Sequence, residues 1–228
     1  MQNRTNKNQV IRMIKTKSQN ISAIILAAGE SQRMGKVNKL KLCLNEEPLI
    51  QRTVKMLLTS DIDEIVVVVG HEAMSISDQL ERLRVTMVYN EDYKQGQMTS
   101  VHKGMAALNQ ECDGVMVCLA DQPLLQKDDI NQLIDAFVHR QQGTILVPTY
   151  KGQRGNPIIL SSEHRDSILS GEYNLGCKRL IEKHPEFVCT VEMENNHVLV
   201  DIDTPDDFIA IQTLIDDQNK ELLAISNK

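Results

Sequence analysis

ISAIILAAGESQRMG, residues 21 to 35, opens with a run that is apolar except for Ser22 and stops abruptly at Gly29. Eight positions are too few for a typical helix with its caps, so Ile21 to Ala28 is predicted to be a buried strand. Apolar residues on both alternating faces mark a strand covered on two sides, as in a parallel sheet. The glycines and polar residues that follow then form a loop at the strand's carboxyl end.

Working outward, Pro48 to Ser60 has helical spacing with Pro at its start, and Glu64 to Gly70 (EIVVVVG) is almost wholly β-branched, hence strand. The alternation continues with helices near 72–83, 99–110 and 128–142, and strands near 85–90, 114–120 (GVMVCLA) and 144–148. Strands alternating with helices at these lengths predict a three-layer α/β, Rossmann-like fold with a mostly parallel sheet and right-handed crossovers. From 151 to 200 the pattern is less regular. It contains Arg154 to Leu160 (RGNPIIL), two short helical stretches, and strand-like runs at Phe187 to Met193 and His197 to Ile202. A last amphipathic helix is expected from Pro205, with Thr204 as its N-cap.

The chain has 228 residues, 41% of them hydrophobic, which suits one sizeable core. A formal net charge of -6 argues against a nucleic-acid binder. Residues 1–20 hold five basic and no acidic side chains and are expected to be a disordered basic extension. From Ile21 onward 20 basic residues face 31 acidic ones, a net of -11, so an anionic substrate needs locally placed cations. Five scattered cysteines without a C-x-x-C pair fit buried thiols in a reducing compartment. No apolar run is long enough for a membrane span, and a cytoplasmic location is expected.

The loop Gly29 to Lys39 (GESQRMGKVNK) can present backbone N–H groups to phosphate oxygens, with Arg33, Lys36 and Lys39 supplying charge. It is neither a Walker A loop nor a dinucleotide-binding G-x-G-x-x-G. A polar surface loop is the bland alternative. Asp121 in LADQP (119–123) follows an apolar strand, where a carboxylate would point into the ligand crevice and could hold magnesium; capping the turn before Pro123 is the other reading. In VDIDTPDD (200–207), Asp201 and Asp203 share a face if extended, and one of them could complete a metal site. Asp206 and Asp207 read as first-turn acids of the last helix. Gly96 permits an unusual turn before Ser100, whose hydroxyl suits either a phosphate contact or a helix cap. The six histidines show no ligand spacing, and the methionines read as core filler.

LAAGESQRMG followed by NKL resembles the signature of the molybdenum-cofactor nucleotidyltransferases, L-A-(A or G)-G-x-S-x-R-M-G with a downstream lysine. The resemblance extends over roughly residues 21 to 210, so 21–228 is expected to form one nucleotidyltransferase domain. It implies nucleotide contacts from Ala28, Gly29, Ser31, Arg33, Gly35 and Lys39, the last matching the family lysine because it precedes the Leu40 to Leu44 run. Lys41 and Cys43 depart from the usual Leu and Pro. Ala28, where guanylyltransferases usually carry Gly, favours the cytidylyl branch. LADQP implies Asp121 as a metal ligand, and DIDTPDD matches D-I-D-T-P-E-D except at Asp206, with Asp203 ranked above Asp201 as second ligand. GQMTS (96–100) resembles the G-M-x-x-S loop, adding Gly96 and Ser100 to the nucleotide contacts. RGNP (154–157) implies pterin contacts from Arg154 and Asn156, while G-D-x-G-x-R is only loosely echoed in Gly171 to Arg179.

The implied reaction needs no protein nucleophile: the terminal phosphate of molybdenum-loaded molybdopterin attacks the α-phosphorus of CTP, and pyrophosphate leaves. Magnesium would be the cofactor, with Arg33, Lys39 and Asp121 as catalytic residues. CTP and the pterin are the expected partners, with a molybdenum hydroxylase as recipient of the product. The rivals are the same scaffold acting with GTP or on a sugar phosphate, and a non-catalytic cofactor carrier.

Overall fold

The computed structural model describes residues 19–35, 37–109, 111–172 and 177–226. The extension expected at 1–20 lies outside them except for Gln19 and Asn20, as do Lys36 and part of the Gly171 to Arg179 stretch. The strands are β1 (Ile21–Ala27), β2 (Cys43–Leu44), β3 (Glu47–Pro48), β4 (Glu64–Val69), β5 (Thr86–Tyr89), β6 (Gly114–Leu119), β7 (Ile145–Tyr150), β8 (Gln153–Arg154), β9 (Ile158–Ser161) and β10 (Val188–Glu192). The helices are α1 (Leu49–Leu58), α2 (Ala73–Leu80), α3 (Gln97–Ala107), α4 (Lys127–Val138), α5 (Arg165–Leu169), α6 (Cys177–Lys183) and α7 (Pro205–Ser226).

The main sheet runs β10-β7-β9-β6-β1-β4-β5, with β8 pairing beside β7 and a separate β2–β3 hairpin. Its pairings are parallel except at β9, which enters antiparallel between β6 and β7, and at the β7–β8 hairpin. The expected three-layer, mostly parallel α/β architecture is therefore present.

β1 lies inside the sheet, between β6 and β4, as its two apolar faces require. Ile21, Ala23, Ile25 and Ala27 join the core beneath α1, α2 and α4, while Ile24 joins the core on the α3 and α5 side. Each fully buried Ile contributes roughly 1.5–3 kcal/mol, which no edge position could supply. Two tight glycines keep the layers close. A Cβ at Gly104 of α3 would come within 2.4 Å of Ile24, and one at Gly114 within 2.6 Å of the Phe137 ring.

The expected strand at His197 to Ile202 is corrected to a 3-10 turn over His197–Leu199 followed by unpaired extended chain. Its backbone groups are spent elsewhere. Val198 O accepts from Gln122 Nε2 at 3.0 Å and from the Asn156 N–H at 2.9 Å, and the Ile202 N–H donates to Asp121 O at 3.0 Å. The Leu40 to Leu44 run likewise splits into a 3-10 turn, Lys39–Lys41, and the short β2. Thr204 caps α7 as expected: its Oγ1 accepts from the Asp207 N–H at 3.2 Å, and Asp207 Oδ2 accepts from the Thr204 N–H at 2.7 Å.

Candidate active site

The loop leaving β1 carries two residues in left-handed or rare backbone conformations, Ser31 at φ 52 and Gly35 at φ 70, ψ -117. Between them Gln32–Met34 forms a single 3-10 turn whose buried Met34 pins the loop to the core while Arg33 points outward, 68% exposed. Ser31 Oγ accepts from the Lys39 N–H at 3.2 Å, closing the loop on itself. Buried Asn38 caps the next turn by accepting from the Leu40 N–H at 3.1 Å. These two bonds fix the backbone of Lys39, so its side chain enters the cleft from a defined point.

There Lys39 Nζ lies 2.5 Å from Asp121 Oδ2 and 3.0 Å from Asp203 Oδ1, and Arg33 pairs with Asp203 Oδ2 at 2.7 Å. Asp121 stands at the carboxyl end of β6, one strand over from β1. Thr53 Oγ1 donates to Ala120 O and Arg52 Nε to Pro123 O, anchoring the Asp121 turn to α1. Asp203 is brought alongside by the Ile202 to Asp121 backbone bond, and its own N–H donates to Asp207 Oδ2 at 3.1 Å. Two segments 82 residues apart thus meet through a main-chain bond as well as through the Lys39 ammonium that both carboxylates share.

Burial pulls the Lys39 pKa down, but the charges and hydrogen bonds of Asp121 and Asp203 outweigh it and the net direction is up. Lys39 is therefore a fixed ammonium donor at neutral pH, not a general base. The Asp201 carboxyl is shifted up by partial burial and then by repulsion from Asp203 and Asp121. Since Asp201 is exposed in area, the like charges are the firmer cause.

A cleft of about 410 Å³ opens over this cluster, lined by the glycine loop (Gly29 to Arg33), Lys39, Leu40, Asp121 and Asp203, with Leu26, Tyr93 and Lys94. Of the residues expected at the nucleotide, Gly29, Ser31, Arg33 and Lys39 are brought together here, with Asp121 and Asp203 from the expected metal ligands. Ala28 is buried at the loop's base, Gly35 is exposed just beyond the 3-10 turn, and Asp201 is two residues before Asp203. Gly96 and Ser100 lie outside the cleft lining; Ser100 is buried and its Oγ accepts from Asn90 Nδ2 at 2.9 Å. Arg154 and Asn156 sit on the β7–β9 side, with the Asn156 N–H bound to Val198 O. Glu30, Tyr93 and Lys94 were not singled out from the sequence. The signal available was position alone, because Tyr93 and Lys94 lie in the connection after the carboxyl end of β5, where open α/β sheets bind ligands.

Asp121 Oδ1 is buried without a hydrogen-bond partner, an orphaned acceptor beside a second carboxylate. Two hard oxygen donors, one unsatisfied, fit a divalent cation such as magnesium or manganese. Among the described residues no group of three or more His, Cys, Asp or Glu is gathered as metal ligands. Substrate phosphates and water would have to supply the rest of the coordination. Among the same residues no helix is long and apolar enough to cross a membrane.

A family model described as the MobA-like NTP transferase domain matches residues 23–187. The molybdenum cofactor cytidylyltransferase of Escherichia coli K12 is 29% identical over 190 residues, covering 83% of this chain and 94% of that protein. The purine catabolism protein PucB of Bacillus subtilis is 30% identical over 195 residues, covering 81% and 92%. Among solved structures, the Rv0371c homologue from Mycobacterium sp. strain JC1 superposes with a TM-score of 0.75 at 25% identity, covering 86% of this chain and 96% of that one. Rv0371c of Mycobacterium tuberculosis H37Rv, described as a complex with manganese, has a TM-score of 0.70 at 20% identity and covers 86% and 99%.

Proposed function

Because the chain belongs to the MobA-like NTP transferase family, we propose that it transfers CMP from CTP to the terminal phosphate of molybdenum-loaded molybdopterin. The products are pyrophosphate and the cytosine dinucleotide form of the cofactor. The observation that carries this reading is the chain of ion pairs Arg33–Asp203–Lys39–Asp121 at the foot of a glycine-loop cleft. It joins phosphate-binding cations to a carboxylate pair that can take a divalent ion, and no nucleophilic side chain is required. Ala28 at the loop's base and the cytidylyltransferase relative support CTP as donor.

Asp121 and Asp203 would hold magnesium, with Asp201 close enough to share its field. When bound, the ion would neutralise phosphate charge and polarise the α-phosphoryl group toward in-line attack. Lys39 exchanges part of its carboxylate contact for a phosphate oxygen, and its permanent charge stabilises the leaving pyrophosphate. Arg33, largely exposed, swings from Asp203 to the outer phosphates at little cost, because an exposed pair holds it by only about 0–1 kcal/mol. Backbone N–H groups of the loop orient the triphosphate. Gly96 and Ser100 set the start of α3 beside the nucleotide, and Arg154 and Asn156 meet the pterin.

The test is pyrophosphate release by the purified protein with magnesium and molybdenum-loaded molybdopterin, offering CTP, GTP and ATP separately. Pterin-dependent release with CTP is expected. Release only with GTP overturns the base assignment, release without the pterin redirects the acceptor, and no release despite tight pterin binding favours a carrier.

A further inference from the structure

Lys94 reaches the cleft from the 3-10 turn Tyr93–Gln95 and has no part in the chemistry assigned to Arg33 and Lys39. Its placement is set by close packing. A Cβ at Gly70, just past β4, would lie 2.8 Å from Ala28 Cβ and 2.9 Å from both Cβ and Cγ of Tyr93. The absent side chain at Gly70 is thus what lets the base of the glycine loop and the Tyr93–Lys94 turn approach one another. The Gly96 backbone, at φ 119, then turns the chain into α3.

Three cations and three anions line the cleft, and each cation has an acidic partner. Lys39 and Arg33 are held at 2.5 to 3.0 Å by Asp121 and Asp203. Lys94 meets Glu30 of the glycine loop at 3.8 Å, with 66% of its side chain exposed. This is the loosest of the cleft's pairs, so the one a more highly charged partner displaces most readily. A triphosphate carries that charge.

We propose that Lys94 binds a β- or γ-phosphate oxygen of the incoming nucleotide, and that Glu30 holds the ammonium in the cleft until the phosphate replaces it. The inference rests on the nucleotidyltransferase reading and adds a phosphate contact from a second element. It makes the affinity for triphosphate, not for nucleoside, depend on the turn after β5.

Calorimetric binding of magnesium-CTP and of CMP, without acceptor, tests it on the full chain. Lys94→Ala should weaken magnesium-CTP binding by about tenfold, equivalent to ~1.4 kcal/mol, and leave CMP binding within twofold. Lys94→Arg should restore most of the loss, Glu30→Gln should tighten CTP binding about twofold, and the Lys94→Ala effect should shrink with added salt. Equal CTP affinity in Lys94→Ala and the parent, or an equal loss for CMP, overturns the assignment while leaving the enzyme reading intact. If the unaltered protein binds no nucleoside triphosphate, the parent reading fails and this one with it. Thermal melting of each variant distinguishes lost binding from lost fold.

Discussion

Lys39 is held between Asp121 and Asp203 at hydrogen-bonding distance where β1 and β6 end, whereas Arg154 and Asn156, expected at the acceptor, sit on the β7–β9 side and line no part of that cleft. The first region is assembled before any ligand arrives: its charges are paired, partly buried and braced by Asn38, Thr53 and Arg52. The second is built on a two-residue strand, a Gly-Asn-Pro turn and short helices. Preorganised charge suits phosphoryl transfer, where stabilisation must be in place before the transition state forms. The more lightly built side is where an acceptor would be admitted.

The largest effect should come from the braced region. Asp121→Asn keeps an oxygen for Lys39 but removes the charge, and turnover is expected to fall by at least about hundredfold. Far-ultraviolet circular dichroism and the melting profile should stay near those of the parent, since the turn is held by main-chain bonds. Pyrophosphate release measured beside melting checks both, and undiminished turnover would take Asp121 out of the site and dissolve the contrast.

How much of this was legible in the sequence follows from how local each feature is. The β1 run, the glycine loop and the strand before Asp121 are readable because hydrophobic period and glycine placement act over a few residues. That one of Asp201 and Asp203 could face the same cleft was readable from their spacing and from the motif resemblance, but which of the two was not. The bond that places Asp203, Ile202 N–H to Asp121 O, joins residues far apart in sequence. The same long-range bonding explains why His197 to Ile202, β-like in composition, is not a strand. The antiparallel insertion of β9 was not foreseen, since nothing in its own four residues, Ile158 to Ser161, encodes a direction. Tyr93 and Lys94 went unmarked because their importance depends on Gly70 lacking a side chain, some two dozen residues away.

A middle-sized effect tests whether the two regions are independent. Gly155, in the turn between β8 and β9, lies so close to Val198 that an added Cβ would sit 2.5 Å from its carbonyl oxygen. Val198 in turn precedes Asp203 on the segment held by Gln122. Gly155→Ala should cost about 1–3 kcal/mol through overpacking, lowering the melting temperature by roughly 2–12 °C for a chain of this size. Because the strain falls on the segment that carries Asp203, turnover per folded molecule is expected to drop several-fold as well. A melting shift with unchanged turnover would show that the β8–β9 turn and the Asp121–Asp203 cleft are mechanically separate.

The smallest effect concerns His164, buried at 4% exposure just after β9, where its Nε2 lies 2.7 Å from Thr144 Oγ1 and its ring 5.2 Å from Phe187. Burial holds its pKa below the usual histidine value, with the neighbouring Glu163 charge opposing and His184 adding to the shift. The unfolded chain therefore takes up the proton first. The stability linked to neutral His164 is complete above the unfolded value of about 6.5 and is lost as pH falls toward the lower folded value. His164→Gln keeps a polar partner for Thr144 but cannot titrate, so its stability should fall less steeply between about pH 7 and pH 5. Denaturant melts at intervals across that range measure the slope. Parallel curves for the two proteins would mean that the acid sensitivity of the β7–β9 side resides in other groups. A shallower curve for the variant would place a titrating, acid-sensitive brace on the β7–β9 side, while the Lys39 ammonium stays charged throughout.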